Sequence, residues 1–408
     1  MKQTINIIGL CLSLSVQAQV YDYNQLLGAA ALNNSSYLAQ KYNVDIAMAE
    51  EQAARVFNNP EISFTYGNNQ DWNLHMGQTY EAGLSYNIPL SSVRGAQIRV
   101  ASANRQANEA EVADFWCALK LQISHAYAAA WLAKQQMQLC YDNYRMMEQI
   151  ARGDSIRLTI GDVSPTDAMQ SFLEVRTARG EWLMAGNEYH NALLNLSVFI
   201  GGTQVDSIGE LPELPDAVAS LPELQQQACD NRNDLKAAYW QQNASEKALQ
   251  LVRAQQAPDL TINAGYVHST EVRNEIAPAP KYDGFSVGVS MPLNFSSLNR
   301  GERSAAENRL KQSSLTYQTV QQQINAEVAQ TYHTYLVAEE ISNNYDASIL
   351  SDAQLIQQKR HQAYTQGDTG LLPLLDASRT YRDILSSYYE AIANRFVAYS
   401  ELMRATGQ

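Results

Sequence analysis

Four short stretches of the chain alternate in polarity. Ile62, Phe64 and Tyr66 point one way along an extended strand, and Ser63, Thr65 and Gly67 the other. Tyr80, Ala82, Leu84, Tyr86 and Ile88 oppose Glu81, Gly83, Ser85 and Asn87. Leu260, Ile262, Ala264 and Tyr266 oppose Asp259, Thr261, Asn263 and Gly265. Phe285, Val287, Val289 and Met291 oppose Ser286, Gly288 and Ser290. Period two with small or polar residues on the second face predicts strands, at about 60–68, 79–89, 258–268 and 283–292. Runs of about eight to ten residues are long enough for tilted strands to cross a bilayer, and a half-buried soluble sheet would read the same way.

Between the strand pairs the pattern changes to helix. From Glu302 to Gln366 the chain has neither Gly nor Pro and is rich in Ala, Gln, Glu and Leu. This predicts a single helix of about 65 residues, roughly 95 Å long. Its counterpart from Ala96 to Arg152 follows the same rule over about 57 residues. After a Gly-Asp turn the chain comes back through Leu371, Leu374, Ser378, Tyr381, Leu385, Tyr388, Ile392, Tyr399 and Leu402, with Arg395 at the missing step. That three-four spacing is a heptad pattern and predicts an antiparallel coiled-coil hairpin. Shorter helical arms precede each strand pair.

The two halves repeat one another. Pro60, Glu61, Ile62, Phe64 and Gly67 match Pro258, Asp259, Leu260, Ile262 and Gly265, and Arg55 matches Arg253. "YEAGLSYNIPL" (80–90) matches "DGFSVGVSMPL" (283–293), and each is followed by Arg-Gly, at Arg94-Gly95 and Arg300-Gly301. "IGDVS" (160–164) matches "QGDTG" (366–370), and Arg176, Leu196 and Gly201 match Arg382, Leu402 and Gly407. The chain therefore reads as residues 1–18, a first repeat over 19–202 with its hairpin at about 95–200, a linker over 203–221, and a second repeat over 222–408 with its hairpin at about 301–406.

Residues 1–18 read as a secretory signal: Lys2, an apolar run from Ile7 to Val16, and small residues before a cleavage after Ala18. Beyond it no apolar run approaches 18 residues, so no transmembrane helix is expected. A net charge of −13 argues against a nucleic-acid partner. Cys117, Cys140 and Cys229 have no metal-like spacing and read as small packing residues. No metalloprotease, nucleophile-elbow or phosphate-loop motif is present, and the six histidines lack ligand spacing, so no catalytic residue, metal site or cofactor is expected.

Four strands cannot close a membrane barrel, and open edges in lipid would strand backbone hydrogen-bonding groups. Several chains must share one barrel, three copies bringing twelve strands, with the long hairpins extending it as a helical duct.

The doubled proline-led strand, the Pro-Leu…Arg-Gly joint and the Tyr-x-x-Gly-Asp…Leu-Asp-Ala turn together resemble TolC-type outer-membrane efflux proteins, over about Tyr23 to Gly407. The resemblance implies an α+β membrane protein with duplicated coiled-coil hairpins and four strands per chain in a shared twelve-stranded trimeric β-barrel. It implies a homotrimer in the outer membrane of a Gram-negative cell with a periplasmic helical extension. The partners it implies are outer-membrane lipid, a periplasmic adaptor and an inner-membrane pump, the chain serving as passive exit duct. By the same resemblance Asp376 falls on an acidic ring at the periplasmic constriction, whose companion position holds Pro373. Tyr364 matches a tyrosine that locks the closed state, and Asp167 its acceptor on the first hairpin. Thr369 replaces a locking arginine, which implies a weaker lock. Gly161-Asp162 and Gly367-Asp368 match the tips that touch the adaptor, and as bare sequence they are turn signals. Trp72 would sit outside the cell or near the membrane interface. A periplasmic coiled-coil adaptor, a protein-secretion duct and a secreted enzyme on a helical scaffold are the rival readings. The first would carry one hairpin and a sizeable β domain, and the last has no residues in its favour.

Overall fold

The structure, a computed structural model, describes residues 20–68, 76–215, 217–292, 300–345 and 347–408. The signal segment 1–18, Trp72, His75 and most of the second strand-to-helix joint lie outside these residues. In chain order the elements are β1 (Val20–Tyr21), α1 (Tyr23–Asn33), α2 (Ser35–Ala54), β2 (Glu61–Asn68), β3 (Gln78–Pro89), α3 (Val93–Thr159) and α4 (Pro165–Phe199). Then follow β4 (Ser207–Ile208), α5 (Leu221–Asn231), α6 (Asn233–Ala254), β5 (Asp259–Ser269), β6 (Tyr282–Ser290), α7 (Arg300–Asn344), α8 (Ala347–Gln366) and α9 (Leu371–Ala405). The elements gather into two compact units, and each takes pieces from both halves of the duplication.

One unit, Gln40–Asp114 with Asn233–Gln323, holds a four-stranded antiparallel sheet in the order β2-β3-β5-β6. Its register brings the alternating residues into rows. Ile62, Leu84, Ala264 and Val287 form one row, and Phe64, Ala82, Tyr266 and Phe285 the next. On the other face Ser63, Gly83, Gly265 and Ser286 line up, as do Glu61, Ser85, Asn263 and Gly288. The apolar face is open: Phe64 is 82% exposed, Phe285 85% and Val287 82%. An apolar row of this size has no partner among the described residues, which is the opposite of a half-buried soluble sheet. At the end of the strands where the two hairpins turn, Tyr66, Tyr80, His268 and Asp283 form an aromatic and polar row. Neighbouring ring centroids there are 5.2 and 6.3 Å apart, and His268 Nδ1 lies 2.7 Å from Asp283 Oδ1. The chain enters β2 and β5 and leaves β3 at the opposite end, where β6 also ends.

The other unit contains the residues up to Ala39, Phe115–Arg232 and Ile324–Gln408. Its core is packed around Tyr127, Ile123, Leu196 and Phe396, with the Tyr23 ring edge-on to Tyr127 and Phe396 at centroid distances of 5.6 and 5.5 Å. The short parallel pair β1–β4 is held against α3 by polar groups: Trp131 Nε1 donates to Glu210 Oε2 at 2.7 Å and Lys134 Nζ to the Ile208 carbonyl at 2.9 Å. Burial, joined by the charges of Asp22 and Glu210, pushes the Tyr127 phenol up to about 12, so its hydroxyl remains a donor, here to the Glu210 carbonyl at 3.2 Å. Arg232, 5% exposed, reaches Glu327 Oε2 at 2.6 Å, and Arg404 pairs with the other oxygen of the same carboxylate at 2.5 Å.

Two helix lengths differ from the sequence reading. The segment from Glu302 to Gln366 is two helices, α7 and α8, because the chain bends at Tyr345. Neither Gly nor Pro is needed for this. Ser342, Asn343 and Asn344 precede the bend, and such side chains compete for backbone hydrogen bonds and weaken a helix. The Tyr345 amide falls back to a Ser342 carbonyl at 3.3 Å, a tightened last turn. Conversely α3 runs 67 residues, straight through Gly153, which costs it only about 1 kcal/mol relative to Ala. No helix among the described residues is long and apolar enough to cross a membrane.

Candidate functional site

The two hairpin tips lie where α3 meets α4 and where α8 meets α9. Both turn in the same way. Gly161 and Gly367 take φ of 77° and 83°, the left-handed region that a side chain disfavours. Asp162 N–H donates to the Arg157 carbonyl and Asp368 N–H to the Ala363 carbonyl, each at 2.9 Å, closing the helix ends. Ser164 then caps α4, its Oγ accepting from the Asp167 amide at 3.1 Å, with Pro165 at the first helical position. The four tip residues Gly161, Asp162, Gly367 and Asp368 are exposed.

Behind the turns, α3 and α8 are tied together. Tyr364 is buried among Met147, Ile150, Ala178, Leu371 and Leu374. Its hydroxyl donates to Asp154 Oδ1 at 2.6 Å, and Asp154 itself is 1% exposed. Burial, and then the neighbouring Asp154 carboxylate, hold the Tyr364 phenol well above its ordinary value. Arg157, one turn on from Asp154, donates through Nη1 to the Tyr364 carbonyl at 3.1 Å and through Nε to Asp162 Oδ2 at 2.8 Å. Its guanidinium carbon also lies 5.5 Å from the centre of the Tyr364 ring. The bond to Asp162 raises the Arg157 guanidinium further above its usual value, so the cation is permanent.

The acceptor differs from the one expected. Asp167 makes no hydrogen bond to Tyr364, and Asp154 on α3 takes that place. The reason lies in the local fold. Asp167 is in the first turn of α4, where its amide is committed to the Ser164 cap and its charge suits the helix N-terminus. It acts on Tyr364 only through space. Thr369 stands where the resemblance implied an arginine, and the guanidinium beside Tyr364 is that of Arg157, from the opposite hairpin. Neither Asp154 nor Arg157 was singled out from the sequence, although Asp-x-x-Arg directly before a Gly-Asp turn puts both side chains on one face of the helix.

Asp376 lies in α9, exposed, with no partner for its carboxylate among the described residues; only its backbone carbonyl is used, by Thr380 Oγ1 at 3.0 Å. Pro373, one turn earlier, is exposed as well. Along α4 the exposed Met169, Leu173, Leu183, Leu194 and Val198 fall on one side at 100° per residue. Val337 and Ile341 on α7 and Ile349 and Ile356 on α8 are exposed too. Among the described residues no three His, Cys, Asp or Glu side chains gather as a metal site, and Cys140 and Cys229 are free thiols.

The sequence and the fold both match known proteins. The model of the outer membrane efflux protein family matches residues 26–202 and 224–408. The cobalt-zinc-cadmium resistance protein CzcC of Cupriavidus metallidurans is 22% identical over 385 residues, 94% of this chain and 89% of that one. A membrane protein from Pseudomonas aeruginosa superposes with a TM-score of 0.75 at 20% identity, covering 94% and 93% of the two chains. The open state of the Neisseria gonorrhoeae MtrE outer membrane channel gives 0.74 at 16% identity, covering 94% and 88%.

Proposed function

The chain belongs to the outer membrane efflux protein family, and from that premise we propose a homotrimeric duct gated at its hairpin tips. It is an outer-membrane channel of an efflux system. Members of the family work with adaptors and pumps, and they are channels rather than enzymes. The exposed tips Gly161-Asp162 and Gly367-Asp368 are the surfaces an adaptor would meet, and the pump would supply the driving force.

The observation that carries the trimer is the sheet. Among the described residues its outer strands β2 and β6 each have one unpaired edge, its apolar face is bare and its other face is small and polar. Strands alternate in direction across the four, so β6 of one copy meets β2 of the next antiparallel, and the pairing continues unchanged around a ring. Three copies make twelve strands, and none of the backbone edges then faces lipid. The apolar stripes on α4 and on α7 and α8 would face neighbouring copies in the same ring. Light scattering of the detergent-purified protein tests this: the mass of three chains is expected. A monomer that still forms pores would defeat the shared barrel.

For the gate, the Asp154–Tyr364–Arg157 tie holds α8 and α9 against α3 within one copy. Asp376, unpaired on the same hairpin, would come together with its two symmetry mates at the narrow end. Breaking the tie releases that hairpin outward.

A further inference from the structure

At the helix-joined end of the sheet lies a cavity of about 510 Å³, within the usual range for small-ligand sites. It has two chemically distinct sides. One is apolar and aromatic: Phe57 and Val56 are 66% and 63% exposed, and Tyr86, from an apolar row near this end of the sheet, joins them. The other is charged. Arg94 lies over the Phe57 ring at 3.7 Å, and Asp259 and Glu302 share the lining.

These charges do not neutralise one another. Arg94 spends Nε and Nη2 on the Arg55 carbonyl, which leaves its Nη1 edge without a partner among the described residues. Asp259 accepts one bond, from Asn87 Nδ2 at 3.1 Å, and Glu302 has no partner among the described residues. A guanidinium stacked on an aromatic ring is well held for a bidentate anion such as a phosphate diester. A phosphate alone would also face two carboxylates, whereas a ligand with a phosphate and an ammonium a few bonds apart would satisfy both sides. The apolar rim continues the lipid-facing rows of the sheet, so the ligand carries hydrocarbon.

We infer that this cavity binds the headgroup of an amine-bearing phospholipid, the phosphate at Arg94 and the ammonium at Glu302, with the acyl chains leaving over Phe57, Val56 and Tyr86. The site anchors the barrel at a fixed depth, with Arg94 and Phe57 from the first copy of the repeat and Glu302 from the second. In the second copy Gln255 stands where Phe57 does in the first, so the stacked pair is not duplicated. The inference rests on the sheet lying in a bilayer.

Native mass spectrometry of the intact detergent-purified channel tests it, with phosphatidylethanolamine and phosphatidylglycerol of the same acyl chains offered in equal amounts. The amine lipid should be retained in preference. Glu302→Gln, at an exposed position, should reduce that preference about fivefold, the value of one surface charge contact. Arg94→Gln should reduce retention of both lipids. A conducting channel that keeps the two lipids equally, or a Glu302→Gln variant with unchanged preference, overturns the inference alone. Displacement of the lipid by an equal concentration of soluble glycerophosphoethanolamine also overturns it, because the hydrocarbon would then contribute nothing. A chain that neither inserts nor conducts overturns the membrane reading together with it.

Discussion

Removing one oxygen atom at Tyr364 should loosen the resting channel. Tyr364→Phe keeps the ring against Met147, Ile150 and Leu374 and deletes only the 2.6 Å bond to Asp154. Tyr364 is 5% exposed and Asp154 1%, so water cannot replace what is lost. Asp154 Oδ2 already lacks a partner, and the variant leaves the whole carboxylate without one. A hydrogen bond to a charged group is worth about 1.5–3 kcal/mol, which corresponds to a shift of about 10- to 150-fold from the tied toward the released hairpin. Single-channel conductance in planar bilayers reads this as a larger resting current with trimer mass unchanged. Asp167→Asn is the control, since Asp167 makes no bond to Tyr364, and it should leave the current near wild type.

The same bond sets a pH expectation. The folded-state phenol is raised above its ordinary value near 10, so its contribution is complete below that value and fades only as pH rises through the higher one. Resting current arising from this tie should therefore be flat between about pH 5 and 9. A Tyr364→Phe channel as tight as wild type would refute the tie as a lock. An Asp167→Asn channel that leaks while Tyr364→Phe does not would restore the acceptor inferred from the family.

Three further outcomes follow from other parts of the molecule. Asp376→Asn should lower cation selectivity and remove block by multivalent cations without altering assembly, because three like charges near one axis would repel each other and attract counter-ions; unchanged bilayer selectivity would take Asp376 away from the constriction. Ile262→Arg, on the apolar face, should cost roughly 2–4 kcal/mol near midplane while Asn263→Arg on the other face is tolerated, and equal loss of folded protein on gel-shift would contradict the faces. Glu327→Gln removes the carboxylate that Arg232 and Arg404 share and should cost about 2 kcal/mol, less than a fully buried pair because Glu327 is partly exposed; an unchanged thermal midpoint would show that neutral acceptors such as the Ala405 carbonyl suffice for Arg232.

The strands, their faces and the two hairpins were legible from the sequence because each rests on a local periodicity that nothing overrides. Val287, for example, is apolar between Ser286 and Gly288, and the register puts it in a row with Ile62 and Leu84. What could not be read depends on side chains meeting across helices. The bend at Tyr345 has no breaker residue, only a run of weak helix formers. The acceptor for Tyr364 depends on which face of α3 turns toward α8, and in a helix with polar residues on several sides periodicity does not decide that.

The tie also shows where the duplication stops being a duplication. At the offset of 206 that relates Gly161 to Gly367, Tyr364 corresponds to Leu158, Arg157 to Ala363 and Asp154 to Arg360. Every residue of the tie is present in one copy and absent from the other. Two identical hairpins would offer each other identical faces, and neither would be held more firmly than its neighbour. A donor on one and an acceptor on the other make the contact directional, as the proposed release of one hairpin against the other requires. An internally repeated chain acquires a moving part only by such divergence. In this chain the divergence that builds the tie falls in the last two turns before each Gly-Asp tip, while the turn geometry itself remains the same in both copies.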